Sequence, residues 1–204
     1  MRYVTMAVVL VETLSAGAWA GGASEVRVYN GDVIAPFGEF LDYDKDAPLE
    51  PMRIVAARNG TFSGKVVVGT KGQALNGVSA SMSDLVHKGG RGVLAAKDIQ
   101  VRYAYGGSWS GWGSTSKAVS RYDVLRGVPP SQIRVVNSKK FRPYDAWIPD
   151  GLSILPIWVT VRVPADAAPG DYAGALTVKA AGRSIATRRA RLCGSPCWSS
   201  CDDV

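Results

Sequence analysis

The chain has a single histidine, His87, among 204 residues. That count excludes nearly every mechanism that needs two imidazoles. Cysteine is missing from the whole body of the chain, because Cys193, Cys197 and Cys201 all fall in the last twelve residues. An odd number cannot all pair, and the C-x3-C-x3-C spacing with no nearby histidine is not a zinc knuckle. Runs of about 18 or more apolar residues are lacking inside the chain, so a polytopic membrane protein is excluded. Amphipathic helical periodicity is lacking too, which removes coiled coils and helix bundles.

What is present is an ordinary globular composition, 47% hydrophobic and 20% charged. At roughly 100–200 residues per domain, the length suits one domain with a core large enough to need no staples. The net charge is +7, from 24 Lys+Arg against 17 Asp+Glu. Its densest groups are Lys139, Lys140 and Arg142, and Arg188, Arg189 and Arg191. They sit among strand-like segments without a recognition helix, finger spacing or RNP-like aromatics. Solvated strand faces and loops are the reading, and no nucleic-acid partner is expected.

The N-terminus has the layout of an export signal. Arg2 opens it, Val4 to Leu14 is mostly apolar, and Ala18-Trp19-Ala20 fits a cleavage site before Gly21. Glu12 weakens the apolar region, and a first β-strand is the competing reading. Residues 1–20 are therefore expected to be a signal peptide, with the protein periplasmic or extracellular and without a membrane span.

The dominant period along the chain is two. Glu25–Tyr29, Arg53–Ala57, Thr61–Val68, Val78–Met82, Ile99–Tyr105, Ile154–Val163, Asp171–Val178 and Ser184–Arg188 read as strands. Turn signals separate them: Asn59-Gly60 as a hairpin signal, Gly72, Asn76-Gly77, Gly89-Gly90, Pro169-Gly170 and Ala181-Gly182. Short strands at this spacing indicate an all-β, immunoglobulin-like β-sandwich. Two stretches break the rhythm as long irregular loops, residues 30–51 and 106–150. Trp158 is expected in the core, and His87 at the surface or in a turn. Tyr172 follows the Pro169-Gly170 turn, where its hydroxyl can bond a loop carbonyl as in a tyrosine corner.

Few residues suggest chemistry. Ser114-Thr-Ser-Lys117 fits S-x-x-K but lacks its partner motifs. Gly89-Gly-Arg-Gly92 lacks the offsets and the helix of a phosphate loop. Asn59-Gly60-Thr61 fits a glycosylation acceptor, though the turn explains it fully. Asp42, Asp44 and Asp46 alternate like the first half of a calcium loop. Ala47 and Arg53 then stand where an EF-hand needs Gly and Glu, so a solvated acidic loop is read there and no cofactor is expected. Trp109, Trp112, Tyr122, Tyr144 and Trp147, with Tyr105, form one aromatic constellation in the long loop. Flat rings of this kind stack on sugars, so glycans are the candidate ligand; a loop mini-core or packing on a following domain competes.

Ala56-Ala-Arg-Asn-Gly-Thr-Phe-Ser-Gly-Lys-Val-Val-Val68, Ser83-Asp-Leu85, Gly92, Ile99-Gln-Val-Arg-Tyr103, Arg121-Tyr-Asp-Val-Leu125 and Pro129-Pro130 carry a family resemblance. The most specific stretch runs from Pro156-Ile-Trp-Val-Thr-Val-Arg-Val-Pro through Pro169-Gly-Asp-Tyr-Ala-Gly-Ala-Leu-Thr-Val178. Over residues 25–187 the chain resembles the N-terminal accessory domain that precedes the catalytic barrel in glycoside hydrolase family 123 and related proteins. The resemblance implies a non-catalytic, exported sandwich whose partner is the catalytic domain of a glycosidase. It also implies that the catalytic carboxylates belong to the barrel. A free-standing carbohydrate-binding module and a cell-surface interaction module share the same fold and remain alternatives. After Ala186 the composition changes abruptly into a Cys-containing segment, residues 188–204, which departs from the family pattern. A frame shift or truncation near 186–189 is the expectation there, against a genuine short protein with a cysteine tail.

Overall fold

A computed structural model describes residues 26–33, 50–108, 120–135 and 151–194. The strands in chain order begin with β1 (Arg27–Gly31), β2 (Met52–Val55), β3 (Gly60–Lys71), β4 (Leu75–Asn76) and β5 (Ser79–Met82). They continue with β6 (Leu85–His87), β7 (Val93–Leu94), β8 (Ile99–Ser108) and β9 (Ser120–Arg126). The last are β10 (Gln132–Ile133), β11 (Leu152–Val163), β12 (Gly170–Ala180) and β13 (Arg183–Gly194). One 3-10 turn, Ala96–Asp98, interrupts them.

Two sheets face each other. The first has the order β1-β3-β11-β8-β9. The second has the order β2-β13-β12-β6-β7, with β5 also paired to β12. β4 and β10 form a small separate ribbon. Every pairing is antiparallel except β2 with β13. This is the all-β sandwich that the period of two implied. Among the described residues no helix is long and apolar enough to cross a membrane.

The core follows strand parity. Leu155, Ile157, Val159, Val161 and Val163 of β11 point between the sheets. Tyr172, Leu176 and Val178 of β12, Ala190 and Leu192 of β13, and Met52 and Ile54 of β2 meet them. Each fully buried aliphatic side chain contributes about 1.5–3 kcal/mol through the apolar area it removes from water. A second cluster, Tyr29, Val67, Leu152 and Ile154, is buried on the other side of the first sheet. Both faces of β3 and β11 are therefore buried along part of their length. That explains why Val66-Val67-Val68 and Ile154–Ile157 read as continuous apolar runs rather than alternation.

Three local readings change. Asn59 does adopt a left-handed backbone, at φ 57°, but the turn makes no hairpin. It carries the chain from β2 in the second sheet to β3 in the first, because pairing is decided by which faces must be buried. Trp158 is not in the core. It stands opposite Arg102 and Lys65 on the side of β11 away from the sandwich, half-buried, with Lys65 Nζ 5.2 Å from its ring centroid. The stretch expected to be irregular from 106 includes the end of β8, all of β9 and β10. β9 completes the first sheet as its edge.

The compositional break at 186–189 lies inside β13. Pairing with β12 runs from Arg183 to Gly194, and Ala190, Leu192 and Cys193 are buried. Adjacent Arg188 and Arg189 interrupt the alternation in the sequence.

Candidate functional site

Most of the aromatic constellation lies outside the described residues: Trp109, Trp112, Tyr144 and Trp147. The acidic loop residues Asp42, Asp44 and Asp46 lie outside them as well. The backbone of Tyr122 belongs to β9, in register with Gly106 of β8. Ser108 and Ser120 pair across the two strands and bracket the segment that carries Trp109 and Trp112. Tyr105 is described, and it is held in place. Its hydroxyl donates to the Val128 carbonyl at 2.9 Å, and the Arg126 guanidinium lies 4.6 Å over its ring. One face of the ring is covered by a cation, in the geometry of a cation–π contact.

The densest polar constellation among the described residues surrounds the lone histidine. His87 is 4% exposed, which corrects the surface half of its reading, while its carbonyl accepts from Gly90 N–H at 2.9 Å and so opens the turn after β6. Gly89 N–H donates to Nδ1 at 2.8 Å. That nitrogen must be an acceptor, so the proton sits on Nε2, which donates to the Pro169 carbonyl at 3.0 Å. The ring packs edge-on against Tyr172, with centroids 5.0 Å apart and planes at 87°. The Tyr172 hydroxyl in turn donates to the Ala168 carbonyl at 2.8 Å, the bond expected of a tyrosine corner. Outside the ring, Lys88 Nζ and the Asp171 carboxylate form an ion pair at 3.1 Å.

This arrangement locks the turn before β12 onto the end of β6. Gly170 has φ 127°, and a Cβ there would lie 2.7 Å from His87 Nε2. Only glycine allows both the backbone angle and the close approach of the imidazole. With both ring nitrogens committed to backbone groups, His87 is a structural bolt and not a general base.

The Ser83-Asp84-Leu85 motif resolves in the same way. Ser83 Oγ accepts from Ala175 N–H at 2.9 Å and donates to the Asp84 carbonyl at 2.9 Å. Asp84 Oδ1 accepts from Ala96 N–H at 2.7 Å, at the start of the 3-10 turn. Leu85 is buried in the core. Each residue of the motif builds the connection between β5, β6 and β8.

Tyr103 joins the sheets. Its hydroxyl accepts from Ala80 N–H at 2.7 Å and donates to the Ala80 carbonyl at 3.3 Å, linking β8 to β5. Burial pushes its phenol above the ordinary value of 10.0; the Ala80 hydrogen bond opposes that shift and neighbouring Tyr105 adds to it. No local pattern points to this bond, because its partner is a backbone group 23 positions away.

The signature residues thus carry strands and turns. The glycoside hydrolase 123 N-terminal domain matches residues 42–180. The chain belongs to this family. Among solved structures, this family member is similar to a family 123 glycoside hydrolase from Clostridium perfringens, described for glycolipid glycan hydrolysis. The two share 19% identity with a TM-score of 0.52, a likeness of fold. The match covers 82% of this chain but 27% of the clostridial one. No curated protein matches the chain.

Proposed function

We infer that this chain is the non-catalytic, exported sandwich that packs on and orients the catalytic domain of a glycoside hydrolase. The observation that carries the reading is the family match over residues 42–180, with a structural relative of which the sandwich makes up 27%. The fate of the motif residues supports it. Ser83, Asp84, His87, Pro169 and Tyr172 are engaged with one another's strands and turns. Glycoside hydrolysis needs two carboxyl groups flanking a bond, and in this reading the partner domain supplies them.

The relative's printed activity suggests glycolipid glycans as the substrate class of the parent enzyme. Incubating the purified chain with such glycans should release no sugar. Turnover that copurifies with the folded chain would overturn the non-catalytic reading. Packing has its own test. Deleting the corresponding sandwich from the clostridial relative should lower the melting temperature of what remains, and an unchanged melting temperature would refute it. Export rests on Arg2, the apolar stretch Val4–Leu14 and Ala18-Trp19-Ala20. Residues 1–25 fused to alkaline phosphatase should give periplasmic activity, and an inactive fusion would remove that part.

A further inference from the structure

Four asparagines occur in the chain, and three of them precede glycine: Asn30-Gly31, Asn59-Gly60 and Asn76-Gly77. Such a pair is chemically labile toward loss of the side-chain amide, because glycine has no side chain to shield its nitrogen. The fold places the three pairs in different surroundings. Asn30 lies in β1, and both residues of its pair stand in the ladder with β3, opposite Val66 and Lys65. Its side-chain amide donates to the Glu50 and Pro51 carbonyls, at 3.4 and 3.2 Å. Asn76 lies in β4, opposite Gln132 of β10. Its Oδ1 accepts from Gln132 Nε2 at 3.0 Å. Its carbonyl accepts from Ala181 N–H at 2.9 Å, and Gly77 N–H donates to the Ser131 carbonyl at 3.4 Å.

Asn59 stands outside the strands, since β2 ends at Val55 and β3 begins at Gly60. It is exposed, in the left-handed region at φ 57°. Its backbone N–H donates to the Pro164 carbonyl at 3.4 Å, while its side chain makes no hydrogen bond among the described residues. Gly60 forms the last pair of the β3–β11 ladder, with Val163. Ladder ends fray at little cost, which frees the backbone N–H there more readily than within a strand. Thr61 is exposed as well, so water has access to the turn.

We propose that Asn59 is a site of spontaneous covalent modification, where the side-chain amide is lost through a cyclic imide. The Gly60 nitrogen gives its proton to hydroxide and attacks the side-chain carbonyl carbon of Asn59. A new C–N bond closes a five-membered ring. The bond from that carbon to the amide nitrogen breaks, and ammonia leaves after taking a proton from water, which restores the hydroxide. Water then opens the ring at either carbonyl, giving aspartate or isoaspartate at position 59. Either product adds one negative charge. The isoaspartyl product also routes the backbone through the former side chain and lengthens it by one carbon. The turn carries the chain from β2 in the second sheet to β3 in the first, so the change falls on a crossover between the two layers.

The test ages the full chain, folded and in concentrated urea, in mildly alkaline buffer at physiological temperature. Cleavage after lysine leaves the three asparagines in separate peptides, ending at Lys45, Lys65 and Lys88. Mass spectrometry reads the gain of about 1 Da that accompanies exchange of the amide for a carboxylate. In the folded chain Asn59 should convert at least about tenfold faster than Asn30 or Asn76, whose hydrogen bonds must break first. In urea the three should convert within about threefold of one another, since the fold no longer separates them. Isoaspartyl methyltransferase should label the aged peptide that ends at Lys65. Asn59→Gly accepts the left-handed backbone and should remove most of the acidic species that isoelectric focusing shows on ageing. Conversion of Asn30 or Asn76 as fast as Asn59 in the folded chain would overturn the proposal. So would an excess at Asn59 that persists undiminished in urea, absent methyltransferase labelling, or undiminished acidic species in the glycine variant.

Discussion

The contact between His87 and Gly170 supports a quantitative prediction. His87→Ala removes the Gly89 and Pro169 hydrogen bonds, each with a net value of about 0.5–1.5 kcal/mol. It also removes the edge-on contact with Tyr172, worth about 0.5–1.5 kcal/mol. The expected loss is about 2–4 kcal/mol. Gly170→Ala places a Cβ at φ 127° and 2.7 Å from Nε2, and should cost about 1–3 kcal/mol in backbone strain before the clash is counted. In the double variant the imidazole is gone, so the steric part vanishes while the backbone part remains. The double variant should be less destabilised than the sum of the singles by about 1 kcal/mol or more. Urea unfolding of the four proteins, with their m values compared, measures this directly. Additivity within about 0.5 kcal/mol, or a negligible effect of His87→Ala, would show that the ring does not bolt the turn.

Four further outcomes follow from the same structure. Tyr172→Phe should lose about 1 kcal/mol by urea unfolding, because the Ala168 carbonyl keeps its place but loses its donor. Asp84→Ala should cost about 1 kcal/mol or more, since Ala96 N–H loses its acceptor; Asp84→Asn, which keeps an acceptor oxygen, should recover most of it. Leu192→Ala should destabilise by about 2–5 kcal/mol if β13 is part of the core, and an effect under about 0.5 kcal/mol would detach that strand from the sandwich. The raised Tyr103 phenol predicts a loss of stability at alkaline pH. The folded group holds its proton above the unfolded value of 10.0, so stability is full below that pH and falls as pH rises past it. Tyr103→Phe should flatten that part of the pH–stability curve, measured by denaturant titration.

Alternation in Arg53–Ala57, Thr61–Val68 and Ile154–Val163 was enough to read a sandwich, because one buried face imposes a period of two whatever the partner strand. Turn chemistry was equally local: Asn59-Gly60 and Pro169-Gly170 need left-handed or tight backbone wherever they point. The role of Tyr172 was legible because its acceptor, Ala168, lies four residues away. His87 was misread for the opposite reason, since its partner Pro169 is 82 positions distant. Trp158 was misread because composition does not reveal that both faces of the first sheet are covered. The extent of β13 was hard to read because Arg188 and Arg189 stand side by side and interrupt the alternation, while the pairing that continues the strand is with β12.

Sequence alone determined the all-β class, the family resemblance and the small number of groups that could do chemistry. Those properties rest on residue type, local period and turn geometry, which act over a few positions. Only the tertiary structure decided that Asn59-Gly60 joins two sheets, that the single histidine is spent on backbone groups, and that Arg53 lies beside Arg191. Each of those depends on strand pairing between distant segments, and pairing is chosen by which faces can be buried together.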